Sequence, residues 1–224
     1  MSVVMISARH TTTTRADRMR SMSFLPAVSL LVLLSGANEP AWRQVARDDG
    51  ITVMARTPAG SSVAEVKATA LVDAPADAVW RVIRDYANYK KTMPYTEESR
   101  VLSSEQDGKV TVFYCLVNAP MVARRDFVIR ILDESDWKEG QGYMKATWTA
   151  LGQDAPPERE GVVRVKLDTG SWLLEPREEG KKTFVTYYLH TDPGGSLPGW
   201  VADKANKTSV PDVLRAVRKY ATAR

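Results

Sequence analysis

"RRDFVIRIL", residues 124–132, decides how this chain folds. Two arginines and an aspartate lead into an alternating stretch in which Arg130 sits among aliphatic side chains. Counting by twos from Phe127 collects Phe127, Ile129 and Ile131 on one face; the other face carries Asp126, Val128, Arg130 and Leu132. In a sheet that is wet on one side, the wholly apolar face turns inward. Arg130 is therefore expected to point to solvent and Ile131 to the interior. The opposite phase would bury a guanidinium with no carboxylate to pair it, at a cost of several kcal/mol.

Working outward, strand-like segments succeed one another from residue 97 to residue 191: 97–104, 109–117, 125–133, 142–151, 161–168, 170–176 and 182–191. Turn signals such as Gln106-Asp107-Gly108, Glu139-Gly140 and Glu179-Gly180 separate most of them, as in antiparallel hairpins. Upstream, "EPAWRQVARDDG" (39–50) reads as a short helix, followed by strands at 51–57 and 62–74. A helix spans "DAPADAVWRVIRDYANYKKTMP", with Val79, Val82, Ile83 and Tyr86 at i, i+3, i+4 and i+7 and Pro94 ending it. A long helical segment, 198–222, closes the chain, and Pro211 inside it is expected to kink or restart the helix. This order predicts an α+β fold, a curved antiparallel sheet with one long helix laid across it.

The 224 residues are 44% hydrophobic and 26% charged, which suits one globular domain rather than a disordered chain. The net charge is +4, but Arg9, Arg15, Arg18 and Arg20 against Asp17 contribute +3 of it within residues 1–37. The remainder is nearly neutral and lacks the electrostatic footprint of a nucleic-acid binder. The leading segment combines this basic stretch with the apolar run "FLPAVSLLVLLSGA" (24–37), too short to span a bilayer of ~30 Å but matched to a secretory signal core. Residues 1–37 are expected to be a cleaved signal peptide, and residues 38–224 an exported domain, periplasmic or secreted.

Traces of catalysis are absent from the sequence. No Gly-rich phosphate loop, no Cys/His cluster at metal-ligand spacing and no nucleophile elbow occurs. Cys115 is the only cysteine, so no internal disulfide forms; in "KVTVFYCLV" it reads as a small buried hydrophobe. Beyond the leader His190 is the only histidine, and the pairs Asp48-Asp49, Glu97-Glu98 and Glu178-Glu179 fall at turns or element ends. No catalytic residue, metal or cofactor is expected.

"RDFV" (125–128), "GSWLLEP" (170–176) and "DPGGSLPGWVADKANKTSVPDVLRAVRK" (192–219) carry a likeness to a known family. In this order they resemble the START domain, the lipid-transfer module named after the steroidogenic acute regulatory protein, here as an exported, bacterial-type member spanning roughly residues 39–222. The resemblance implies a helix-grip fold, with the curved sheet wrapped around the C-terminal helix and enclosing an apolar cavity. It implies non-enzymatic binding and transfer of a sterol, phospholipid or fatty-acyl compound; a polyketide cyclase/aromatase-like enzyme of the same superfamily is the alternative. Many START domains place an arginine six residues after the first arginine of the Arg-Asp-aromatic motif, opposed by an acid on the preceding strand. Here that position is Ile131 and "VFYCLV" has no acid, which implies a greasier cavity.

Parity supplies the expected cavity wall: Phe127, Ile129 and Ile131; Met144 and Trp148; Val165; and Thr186 and Tyr188, although Val185, Tyr187 and Leu189 form the other phase of that last strand. Tyr114, Thr186 and Tyr188 are candidates for the few polar groups that orient a ligand in an apolar pocket. The gate is expected where the loop 118–124, tipped by Pro120, Met121 and Val122, meets the helix start at Leu197, Trp200 and Val201. The expected partners are a lipid ligand and, transiently, a membrane surface, with no nucleic acid; the chain is expected to be monomeric. N-terminal sequencing of the protein from its producing cell should find Asn38 first; an intracellular chain retaining residues 24–37 would contradict the export reading.

Overall fold

The computed structural model describes residues 40–223 except Met121, Ser196 and Pro198; the segment 1–37, expected to be a signal peptide, lies outside the described residues. Three strands open the fold: β1 (Arg43–Asp48), β2 (Ile51–Arg56) and β3 (Glu65–Val72). Strict alternation in β2 and β3 buries Ile51, Val53, Val66, Ala68, Ala70 and Val72 on one face. The β1 segment is a strand where a helix was expected. Asp49 and Gly50 both take positive φ, 49° and 70°, and close a two-residue hairpin that pairs Asp48 with Ile51. That Asp-Gly turn outweighs the helix-like spacing of Trp42, Val45 and Ala46.

Next come α1 (Ala76–Arg84) and α2 (Tyr89–Thr92), joined by a 3₁₀ turn at Tyr86–Asn88. The sequence suggested one helix running to Pro94. The chain instead breaks at Asp85 (ψ 52°), turning Tyr86 into the core, and the Tyr89 hydroxyl donates to the Ile83 carbonyl across the break. The main sheet follows in β4 (Thr96–Glu105), β5 (Val110–Val117), β6 (Arg125–Asp133), β7 (Asp136–Lys138), β8 (Gln141–Ala150), β9 (Val163–Arg164), β10 (Leu167–Arg177) and β11 (Lys182–Asp192). The expected strand 161–168 is broken: β9 is a two-residue parallel addition to β6, and β10 begins only at Leu167. The chain ends in α3 (Gly199–Lys207) and α4 (Ser209–Thr222); Thr208 breaks the helix and Pro211 sits in the first turn of α4, where its missing N–H costs nothing.

Strand order is β1-β2-β3-β11-β10-β8-β6-β5-β4, antiparallel between neighbours along this path. The helix α4 lies on one face, and its Val210, Leu214 and Val217 pack with Val79 and Ile83 of α1 and with Val53, Val72 and Val185 of the sheet. The opposite face of β5–β6 is also dry. Val112, Tyr114, Leu116 and Val128 form a second cluster there, covered by Leu151, Ala155 and Val162 of the β8–β9 connection.

Asp126 fastens that cover. It is 1% exposed as a side chain, and Arg164 meets it with two bonds, Nε to Oδ1 at 2.7 Å and Nη2 to Oδ2 at 3.0 Å. Arg164 also donates to the Pro156 carbonyl at 3.0 Å. Bidentate geometry and a fully buried carboxylate make this pair costly to break from one side. Asp126→Ala should therefore lose about 3–5 kcal/mol in urea denaturation; a loss below about 1 kcal/mol, the range of an exposed pair, would show that the cover does not depend on it.

Candidate ligand cavity

The space between the sheet face and the two C-terminal helices is not filled. A cavity of about 390 Å³ remains, walled by β5, β6, β8, β10 and β11, floored by Tyr86 and Tyr89, and roofed by Val201, Ala205, Val210 and Val213. Most of the wall is apolar: Phe113, Phe127, Ile129, Ile131, Ala146 and Leu189. Large aromatics shape the rest. Trp172 stacks on Tyr187 with ring centroids 4.0 Å apart, Trp148 lies 6.0 Å from Tyr187, and Phe113 touches Tyr86, Tyr89 and Phe127.

The sheet register explains which side chains reach the cavity. Phe113 pairs with Ile129 and Cys115 with Phe127, so one face of β5–β6 supplies the wall. Ile131 is 5% exposed and on the wall, whereas Arg130 is exposed on the far side. Phe127, Ile129, Trp148 and Val165 also line the cavity. Tyr114, Met144, Thr186 and Tyr188 do not. Tyr114 belongs to the cluster on the opposite sheet face, where Arg159 donates to its hydroxyl at 3.1 Å and Arg100 lies over its ring. Met144 is buried in solid core opposite Leu174. Thr186 and Tyr188 point the other way because Tyr187 pairs with Trp172 on the cavity face; Tyr188 instead packs edge-on against Trp42 and bonds Glu65.

At the expected gate, Val122, Leu197 and Val201 line the cavity mouth, while Pro120 is exposed and Met121 lies outside the described residues. Trp200 does not line it; it is 58% exposed on the outside of α3. Arg125, which parity places on the Ile131 face, ties the mouth together. Its Nε donates to the Pro193 carbonyl at 2.9 Å, Nη1 to Ala123 at 2.5 Å and Nη2 to Gly194 at 3.4 Å, linking the 118–124 loop to the segment before α3. Burial lowers its pKa from the ordinary guanidinium value.

One polar group of the cavity wall was not among the sequence candidates. Asp168 of β10 is 6% exposed, and its Oδ1 accepts from Trp148 Nε1 at 3.1 Å and Thr191 Oγ1 at 2.9 Å. Burial raises its pKa, against the opposing effect of those two bonds. Gly170, two residues on, leaves room for the indole: a Cβ there would sit 2.2 Å from the Trp148 ring. Parity counted back from Trp172 would have reached Asp168, but its two donors come from other strands. Burial also pushes the Cys115 thiol up to about 12 and the Tyr86 phenol up to about 12, and holds Tyr187 well above the ordinary phenol value.

Comparison with known proteins agrees with this geometry. A family model described as "Polyketide cyclase / dehydrase and lipid transport" matches residues 72–218. The bovine phosphatidylcholine transfer protein is 30% identical over 190 residues, covering 83% of this chain and 85% of its own. A solved STAR-related lipid transfer protein fragment from Xanthomonas axonopodis is 30% identical with a TM-score of 0.70, covering 81% of this chain and 99% of that one. Human STARD10, 20% identical with a TM-score of 0.68, covers 80% of this chain and 72% of its own and shares the fold.

Introducing charge on the two faces of β6 tests the register. Ile131→Arg should cost several kcal/mol of stability or ligand affinity by burying an unpaired guanidinium, and Arg130→Ala under about 1 kcal/mol. The reverse ranking in a denaturation and lipid-binding series would contradict the assigned faces.

Proposed function

Because the chain belongs to the polyketide cyclase/dehydrase and lipid transport family, in its START-related lipid-transfer branch, we propose that it takes one lipid into the cavity and carries it between membranes unchanged. The observation that carries this reading is the largely apolar space of about 390 Å³ left between sheet and helices. Such a space lies within the range of ligand pockets, ~300–1,000 Å³. At about 30 Å³ for each water-sized group, it admits roughly a dozen such groups, which suits one acyl chain or a compact ring system. A two-chain lipid requires the α3 roof to lift.

Transfer without chemistry is the reading the cavity favours over a cyclase. With Cys115 and Tyr86 both pushed up to about 12 by burial, neither is a ready base or nucleophile at neutral pH. Exchange takes place at the mouth, where Arg125 joins the 118–124 loop to the approach of α3. Outside that mouth Trp200, Lys204 and Lys207 follow one another at i, i+4 and i+7 along α3, and all three are exposed. An indole suits a membrane interface, and each basic residue near an anionic surface adds roughly 1 kcal/mol. Export places this exchange outside the cytoplasm; the basic, then apolar leading segment supports that part of the proposal.

Locking the mouth tests the gate. In a Cys115→Ser background, Val122→Cys and Val201→Cys joined by a disulfide-containing bis-maleimide should reduce transfer of a fluorescent lipid between vesicles to the uncatalysed background. Cleaving the linker with reductant should restore it. Equal rates before and after cleavage would mean that lipid does not pass between these two elements.

A further inference from the structure

The carboxyl group of Asp168 is only half used by the protein. Trp148 Nε1 and Thr191 Oγ1 both donate to Oδ1, and no described residue donates to Oδ2. Asp168 lies on the cavity wall at 6% exposure. Its unused accepting capacity faces the cavity, where a ligand can supply the donor that the protein does not. Among the described residues Arg125 is the one cation of the wall, and its guanidinium is engaged with the carbonyls of Ala123, Pro193 and Gly194.

We propose that Asp168 Oδ2 selects the ligand by accepting a hydrogen bond from the hydroxyl of a neutral amphiphile, whose tail runs inward past Trp148 toward Ala146 and Trp172. This inference rests on the lipid-binding reading and adds the head-group chemistry to it. Register fixes the orientation. Asp168 pairs with Thr191, two residues before Pro193 at the mouth, while Trp172 lies four residues deeper along β10, opposite Ala146 and Tyr187. Polar contact therefore sits near the entrance, and the inner wall, with Ile131 among it, has nothing for a charged head. The bonds to Oδ1 fix the carboxyl rotamer, so Oδ2 is held in place before a ligand arrives. Gly170 contributes by letting the Trp148 indole lie flat enough to reach Oδ1.

The test uses the full chain and two probes with the same dodecyl chain, 1-dodecanol and its methyl ether, displacing a fluorescent fatty probe. The ether accepts hydrogen bonds but donates none. Wild type should bind the alcohol about tenfold or more tightly than the ether, relative to their partition into hexadecane. In Asp168→Asn, Oδ1 still accepts from Trp148 and Thr191, but an amide N–H₂ replaces Oδ2 and donates equally to alcohol and ether. The alcohol-to-ether ratio should then fall to near one, with an unchanged melting temperature. Comparing ratios cancels the difference in hydration between the probes. Equal wild-type binding of alcohol and ether, or a ratio that survives in Asp168→Asn, overturns the Asp168 assignment while leaving lipid binding intact. No binding of either probe overturns both. Should the variant fail to fold, the partition-corrected wild-type ratio decides alone.

Discussion

Two adjacent charges on one strand organise this molecule. Successive side chains of a strand point to opposite faces, so Arg125 and Asp126 work on opposite sides of the sheet. Arg125 turns to the helix side and holds the carbonyls of Ala123, Pro193 and Gly194, which fixes the cavity mouth. Asp126 turns outward and holds Arg164, which presses the β8–β9 connection over Tyr114 and Val128. Shifting β6 by one residue would exchange these roles, bury Arg130 and expose Ile131. The register of one strand thus sets both the entrance and the back wall.

The cavity is a departure from close packing and has an energetic consequence. Voids left in protein cores cost about 24 cal/mol per Å³, so 390 Å³ of dry empty space would cost roughly 9 kcal/mol. That is comparable with the whole stability of a domain, ~5–15 kcal/mol, and is an upper limit because the mouth admits water. The aromatic wall keeps the space open: the stack of Trp172 on Tyr187 and the chain of rings around Phe113 brace each other rather than collapsing inward. An apolar guest replaces the missing contacts, so the loaded form is the more stable one.

Legibility in the sequence followed solvent. β6 was readable because Arg130 and the aliphatics around it alternate between a wet and a dry face. β5 was not: "VTVFYCLV" is dry on both sides, so nothing in it announced that Phe113 and Cys115, rather than Tyr114, face the cavity. In β11 both phases carry aromatics, and only the pairing of Tyr187 with Trp172 selects one. β1 was mistaken for a helix because its apolar spacing fits one, although Asp49-Gly50 already held the hairpin signal. Asp168 escaped because its meaning depends on Trp148 and Thr191, twenty-odd residues away in sequence.

The central claim is that the space beneath α3 and α4 is a lipid site rather than a packing defect. Native mass spectrometry of the protein purified from its producing cell, followed by organic extraction, addresses this directly. The expected result is a chain carrying one lipid of defined mass, with a lower melting temperature after delipidation that rises again on reloading. A chain that appears only at its own mass, and melts at the same temperature before and after delipidation, would contradict the account.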